Sequence, residues 1–296
     1  MTPPRPAPIP LLSALVAALA LFVQSGPGAP TAAAATGWTL DKVYAERMAM
    51  RVADQRCKLF AASVASALLM GEVQARNAVL RSGRDASQLA DLAGVAVQRG
   101  STVPCRDPAL VTEAAHIRAA FSGYSRIQRL DFPGGAASWK ADRTVLSTRV
   151  DGGRWALTTA AVRSTASLRF GVVVKDGRLG LFAEPGAEPG LMQPAAARLL
   201  LRDPQRASRP YLAGGLTPPP RADSAVYFAQ ERRNAPDGGL GFQFSDQAVA
   251  ALVQLDPREA VLVELVYPTS HGDRVVSGVY EVGDFAPAYG FLTLAK

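Results

Sequence analysis

Phe170-Gly171-Val172-Val173-Val174-Lys175-Asp176-Gly177-Arg178-Leu179-Gly180-Leu181-Phe182 is the stretch that decides the fold. Two short apolar runs flank Asp176-Gly177, and an Asp-Gly pair supplies the positive φ angles that a tight hairpin turn needs. The spacing predicts strands over Phe170–Val174 and Leu179–Phe182. The same grammar recurs on both sides. Asp151-Gly152-Gly153 predicts a hairpin joining Thr144–Val150 to Arg154–Thr159, and Ala195–Leu201 fits either strand or helix. Ser224–Gln230 and Gly241–Phe244 read as strands around the loop 234–239, followed by strands Ala260–Tyr267 and Arg274–Val282. Ser245 or Asp246 caps a short helix through Val253, and Asp284 caps a final helical turn over Phe285–Gly290. Thr217-Pro218-Pro219-Pro220 reads as a stiff extended connector.

Before Tyr124 the periodicity changes to that of helices. Leu40, Tyr44, Met48 and Val52 recur every fourth residue with charged residues between them, an amphipathic stripe. Leu59, Phe60, Val64, Leu68, Leu69 and Met70 occupy more than one face, with Gly71 as a break or close-packing point before a helix over Glu72–Leu80. A third helix runs from Ala86 to Val97, with Asp85 as its cap and Gly100 past its end. Asp107-Pro108 is a start signal: the carboxylate caps free amides, and proline at the first turn gives up no needed N–H. Leu110, Ala114, Ile117 and Phe121 then form one apolar face, which Ser122-Gly123 ends. The expected fold is α+β: three to four helices at 36–123, then a sandwich- or barrel-like β-rich domain at 124–296 with one or two short helices.

The first 35 residues read as a signal peptide. Arg5 precedes the 13-residue apolar run Leu11–Val23, and Ala32-Ala33-Ala34-Ala35 lies before Thr36, the order of positive end, apolar core and small-residue cleavage site. A spanning helix needs about 20 apolar residues, so the run favours a cleavable leader over a retained anchor and no stable transmembrane span is expected after cleavage. The expected location is therefore periplasmic or secreted. Without the leader the chain has 31 basic and 25 acidic residues, spread evenly, with no basic run longer than Arg232-Arg233. A nucleic-acid binder would concentrate its charge on one face, so nucleic acid is not an expected partner. An envelope component or another protein remains open.

Cys57 and Cys105 are the two cysteines, and an even count in an exported chain predicts a disulfide. Closing that loop of 48 residues is worth about 4 kcal/mol by chain entropy.

Chemistry-bearing motifs each meet a simpler explanation. Glu113-Ala114-Ala115-His116 has the spacing used in di-iron bundles, but those sites need a second copy, and a solvated helix face explains the pair. Thr269-Ser270-His271-Gly272-Asp273 gathers serine, histidine and aspartate, yet neighbours in one loop point apart, and a turn between strands explains them. Gly123-Tyr124-Ser125-Arg126-Ile127 lacks the last glycine of a nucleophile elbow. Asp256/Glu259 and Glu281/Asp284 are carboxylate pairs of the kind that do acid–base work on glycans, but Asp256 precedes Pro257 and Asp284 starts a helical turn, so capping accounts for both aspartates. Trp38, Trp139 and Trp155 do not cluster and read as core or boundary residues. No catalytic residue, cofactor or metal ligand is assigned.

From Trp155 to Leu294 the order Leu179-Gly180-Leu181-Phe182, Phe242-Gln243-Phe244 with helix Gln247–Val253, Val261–Val266 and Gly283-Asp284-Phe285-Ala286 resembles the invasion-associated locus B family of exported bacterial proteins. The resemblance implies a single β-rich domain acting at the envelope without known catalysis. The family's cysteine pair is missing here and the helical part has no counterpart, so no functional residue is carried over. The leading expectation is an exported, non-enzymatic binding or envelope-associated protein. The alternatives are a hydrolase of envelope glycans or esters using acidic residues from separate β loops, and an assembly or scaffold protein.

Overall fold

The computed structural model describes residues 39–147, 153–186, 193–236 and 238–294. The leader, its cleavage site and Trp38 lie outside the described residues. So do most of the expected strand's second half and the Asp151-Gly152 turn. Six helices and twelve strands are described, four of the helices before the first strand, which makes the fold α+β. The chain divides into two compact units, residues 39–75 with 86–126, and residues 76–85 with 127–294.

In the helical unit α1 spans Leu40–Cys57, with Thr39 accepting a capping hydrogen bond from the Lys42 amide. Its buried face runs through Tyr44, Arg47, Ala49, Met50 and Ala53, and Leu40 is exposed, so the predicted stripe is rotated. The cause is α3, which spans Ala86–Thr102 and continues past Gly100. A Cβ on Gly100 would lie 2.8 Å from Val52 Cβ. That glycine serves close approach between helices, where it was expected to end one. Helix α2 runs without interruption over Ala62–Arg81. Gly71 is a packing point within it, and its carbonyl accepts a hydrogen bond from the buried Arg47 guanidinium. Helix α4, Pro108–Phe121, starts as expected: the Asp107 carboxylate accepts from the Ala109 and Leu110 amides at 2.9 and 3.2 Å. Leu110, Ala114, Ile117 and Phe121 are its buried face. Burying each of the larger ones stabilises the unit by roughly 1.5–3 kcal/mol. Cys57 and Cys105 form the expected disulfide.

The β-rich unit consists of two antiparallel sheets. The first has seven strands in the order β1-β2-β3-β5-β6-β10-β9, and the second five in the order β4-β12-β11-β7-β8. In the first sheet β1 is Arg129–Phe132, β2 Trp139–Asp142, β3 Arg154–Thr158, β5 Leu168–Lys175, β6 Arg178–Pro185, β9 Glu231–Asn234 and β10 Leu240–Gln243. In the second, β4 is Arg163–Ser164, β7 Ala196–Arg202, β8 Ser224–Phe228, β11 Ala260–Thr269 and β12 Gly272–Glu281. Asp176 and Gly177 both take positive φ, as the β5–β6 turn requires.

The strand expected at 144–150 does not form over its described part. Asp142 accepts hydrogen bonds from the Thr144 amide and hydroxyl, which turns the chain, and β2 pairs with β3 instead. Helix α5, Asp246–Val253, is capped by Ser245. The last helix, α6, runs from Phe285 to Thr293, and Asp284 makes no capping bond to it.

Aromatic rings fill the space between the sheets. Phe170 of β5 lies 5.1 Å from Tyr280 of β12 and 6.2 Å from Trp139, which in turn lies 5.0 Å from Phe285 of α6. The Trp139 indole donates to the Val282 carbonyl at 2.8 Å. A buried indole keeps its stabilising packing only when its N–H finds such an acceptor.

Candidate functional site

Register places the candidate site on the face of the seven-stranded sheet that points away from Phe170 and Tyr280. Val173 pairs with Gly180, Lys175 with Arg178, Gln243 with Phe182, Glu231 with Gln243 and Arg233 with Gly241. Alternation along each strand therefore brings Val173, Lys175, Arg178, Gly180, Phe182, Glu231, Arg233 and Gln243 to one side. They line a groove of about 440 Å³. Its floor is apolar: Val173 and Phe182 are buried with Ala235, and Trp155 packs against them. The Trp155 and Phe182 rings meet edge to face at 6.0 Å, and the Arg169 guanidinium lies 5.5 Å over the Trp155 ring. The Trp155 indole N–H is buried and has no hydrogen-bond partner among the described residues.

Two glycines make the concavity. The Phe182 ring occupies the space a side chain on Gly241 would need, and a Cβ on Gly180 would lie 3.0 Å from the Gln243 amide. The rim carries Lys175, Arg178 and Arg233 against Asp176 and Glu231, with the amides of Asn234 and Gln243 between them. Glu231 is paired with Arg233. The groove thus presents two unlike amides and an excess of cations above an aromatic floor.

The carboxylates singled out in the sequence are bound by the fold. Glu259 is 1 % exposed, holds the buried Arg202 through two hydrogen bonds of 2.6 and 3.1 Å, and accepts from the Tyr211 and Asp256 amides. Asp256 holds Arg258 at 2.9 Å. Glu281 accepts from three successive backbone amides, Gly135, Ala136 and Ala137, at 2.6, 2.7 and 3.1 Å. Asp284 accepts from Asn77 and Arg81 at 2.9 and 2.7 Å. Each holds structure together, in a different way from the capping expected of Asp284. Thr269–Asp273 is the exposed β11–β12 turn, where Thr269 donates to the Gly272 carbonyl at 2.6 Å, so its serine, histidine and aspartate form no relay. Tyr124–Arg126 is a single helical turn packed on Phe121 and no nucleophile elbow.

Glu113 and His116 lie 3.6 Å apart on α4, the imidazole exposed. Glu113, however, also lines a pocket of the helical unit with Glu46 of α1 and Arg99 of α3. Burial pushes the pKa values of Glu46 and Glu113 up, and repulsion by Glu113 adds to the rise at Glu46. Lys42 and Arg99 oppose the shift at Glu46, and His116 and Arg99 oppose it at Glu113. Sequence reading missed this meeting because the two glutamates are far apart in the chain. Among the described residues no group of histidine, cysteine or carboxylate side chains could hold a metal ion, and no helix is long and apolar enough to cross a membrane. Set against known protein families, characterised proteins and solved structures, the chain finds no match in any of the three.

Proposed function

We propose that this chain is an exported, periplasmic or secreted binding protein without catalytic activity, and that the groove over Val173 and Phe182 takes a polar, anionic component of the cell envelope. The observation that carries the reading is the groove itself. Four strands and the β5–β6 turn bring three cationic and two amide side chains around one concavity; Arg233 is matched by Glu231, and Lys175 and Arg178 outnumber the remaining carboxylate, Asp176. Such a rim donates hydrogen bonds to acidic oxygens and accepts them from hydroxyls, and cationic side chains set the sign of the ligand. The resemblance to the invasion-associated locus B family points the same way, towards the envelope. A hydrolase using β-loop carboxylates gains no support, since Asp256, Glu259, Glu281 and Asp284 are each bound to partners within the fold.

The test is a titration of the oxidised chain with an oligogalacturonate and with phosphatidylglycerol vesicles, followed by tryptophan fluorescence in a Trp38→Phe background, where Trp155 emits beside the fully buried Trp139. Saturable binding that weakens at least fivefold in Arg178→Ala and Arg233→Ala supports the reading. Equal binding by these variants and the parent chain would sink it. Export is tested separately: the protein recovered outside the cytoplasm is expected to begin at or near Thr36.

A further inference from the structure

Five polar side chains of the sheet groove stand open to a ligand. Lys175, Asp176, Arg178, Asn234 and Gln243 line it, and none of their side chains has a hydrogen bond or ion pair with another described residue. Other exposed guanidiniums of the same unit are held: Arg163 by the Gly215 and Leu216 carbonyls, Arg221 by Glu264, Arg232 by the Ala195 carbonyl. A ligand entering the groove therefore engages these five without breaking bonds inside the fold.

Register sets their spacing. Lys175 pairs with Arg178 across the β5–β6 turn that contains Asp176, so this end holds two cations against one carboxylate. Gly180 lies two residues along β6 from Arg178 and on the same face, a step of about 7 Å. The Gln243 amide lies over Gly180, where a Cβ would come within 3.0 Å of it. Farther along, Arg233 is matched by Glu231. The ligand thus meets surplus positive charge at the turn and, one short step inward, a neutral amide that both donates and accepts. The floor beneath is closed: Val173 and Phe182 are only 5 % and 3 % exposed. An acyl chain laid there would leave water for very little apolar surface.

We infer that the groove takes a sugar acid, its carboxylate on Lys175 and Arg178 and its ring hydroxyls on the Gln243 amide; the inference rests on the reading of this groove as the binding site. A sugar ring carries its carboxylate at one side and hydroxyls at the other, rigidly, so it spans the step from the turn to Gln243 with little ordering cost. Guanidinium and ammonium groups give the carboxylate charge-assisted hydrogen bonds, and the amide gives the hydroxyls both a donor and an acceptor. A groove of about 440 Å³ lies within the range of small-ligand sites, roughly 300–1,000 Å³. A phospholipid gains nothing for its acyl chains here, and a glutamate side chain must first be ordered. Two sources carry the chemistry, a free sugar acid and a uronate unit of a glycan chain.

The experiment is calorimetric titration of the full oxidised chain at pH 7.5 with galacturonate, galactose, inorganic phosphate, glutamyl-glutamate and phosphatidylglycerol vesicles. Galacturonate is expected to bind at least tenfold more tightly than each of the others. Arg178→Ala should shrink its lead over galactose at least fivefold. Gln243→Leu should weaken galacturonate at least fivefold with an unchanged far-UV circular dichroism spectrum. In the parent chain, whatever the variants do, the side-chain amide resonances of Gln243 should shift as galacturonate is added. The sugar-acid assignment is overturned, with the groove still a binding site, if vesicles, phosphate, galactose or the dipeptide match galacturonate. It is also overturned if Gln243→Leu binds like the parent or if the Gln243 resonances stay in place. Binding by none of the five removes both the assignment and the proposed function. Trigalacturonate binding more tightly than galacturonate assigns the glycan source, and equal or weaker binding the free sugar acid; either supports the assignment.

Discussion

In the β-rich unit Glu259 and Glu281, both taken out of water, arrive with their donors. Glu259 lies on Arg202 and Glu281 sits in a cradle of three amides. In the helical unit Glu46 and Glu113 stand at a pocket with a surface arginine between them, and one buried oxygen of Glu113 has no donor among the described residues. Carboxylates of the first kind fasten strands and loops to each other. Those of the second kind are held in a less favourable state by their own fold.

That contrast can be broken most directly at Glu259. Glu259→Ala strands a buried guanidinium, and urea unfolding should show a loss of roughly 3–5 kcal/mol. A loss under about 1 kcal/mol, the value typical of exposed pairs, would mean that the pair contributes as a surface ion pair does. Next comes the disulfide: Cys57→Ser with Cys105→Ser should destabilise the chain by up to about 4 kcal/mol, and a reducing agent should do the same to the parent.

These two effects also measure how far the sequence could be read. The hairpin Lys175–Arg178, the Asp107-Pro108 helix start and the cysteine pair were legible because each is a local rule with a local cause. Strand β9 was not, since Glu231-Arg232-Arg233-Asn234 is an edge strand without apolar alternation. The groove was hidden for the same reason: it exists only through the pairing of β6 with β10 and of β10 with β9, which no short window contains. Gly100 was misread because a helix stop and a helix crossing call for the same residue, and only the neighbouring α1 decides between them.

Gly241→Ala sharpens the comparison on the β side. The added methyl would force the Phe182 ring off its place, for a loss of about 1–3 kcal/mol and a shift in Trp155 emission. Unaltered stability and emission would show that the floor of the groove yields freely.

The smallest effect has the opposite sign. Folding raises the pKa values of Glu46 and Glu113 above their ordinary 4.5. The folded chain therefore keeps protons that the unfolded chain has lost, and stability falls as pH rises from about 4.5 through the folded values. Glu113→Gln should make the parent's decline shallower and leave the variant slightly more stable at pH 7.5 in thermal melts. A variant less stable than the parent at that pH would mean that the carboxylate belongs with those of the β-rich unit.

The long β11–β12 ribbon offers a practical opening. Its rungs run on from Tyr267–Arg274 to Thr269–Gly272, beyond the last rung that β7 contributes at Val266, and the turn residues there are exposed. Tips of this kind accept inserted sequence with little effect on the body that carries them. An epitope grafted between Ser270 and His271 would extend an exposed turn, so antibody access to intact and to permeabilised cells would reveal on which side of the membranes the molecule resides.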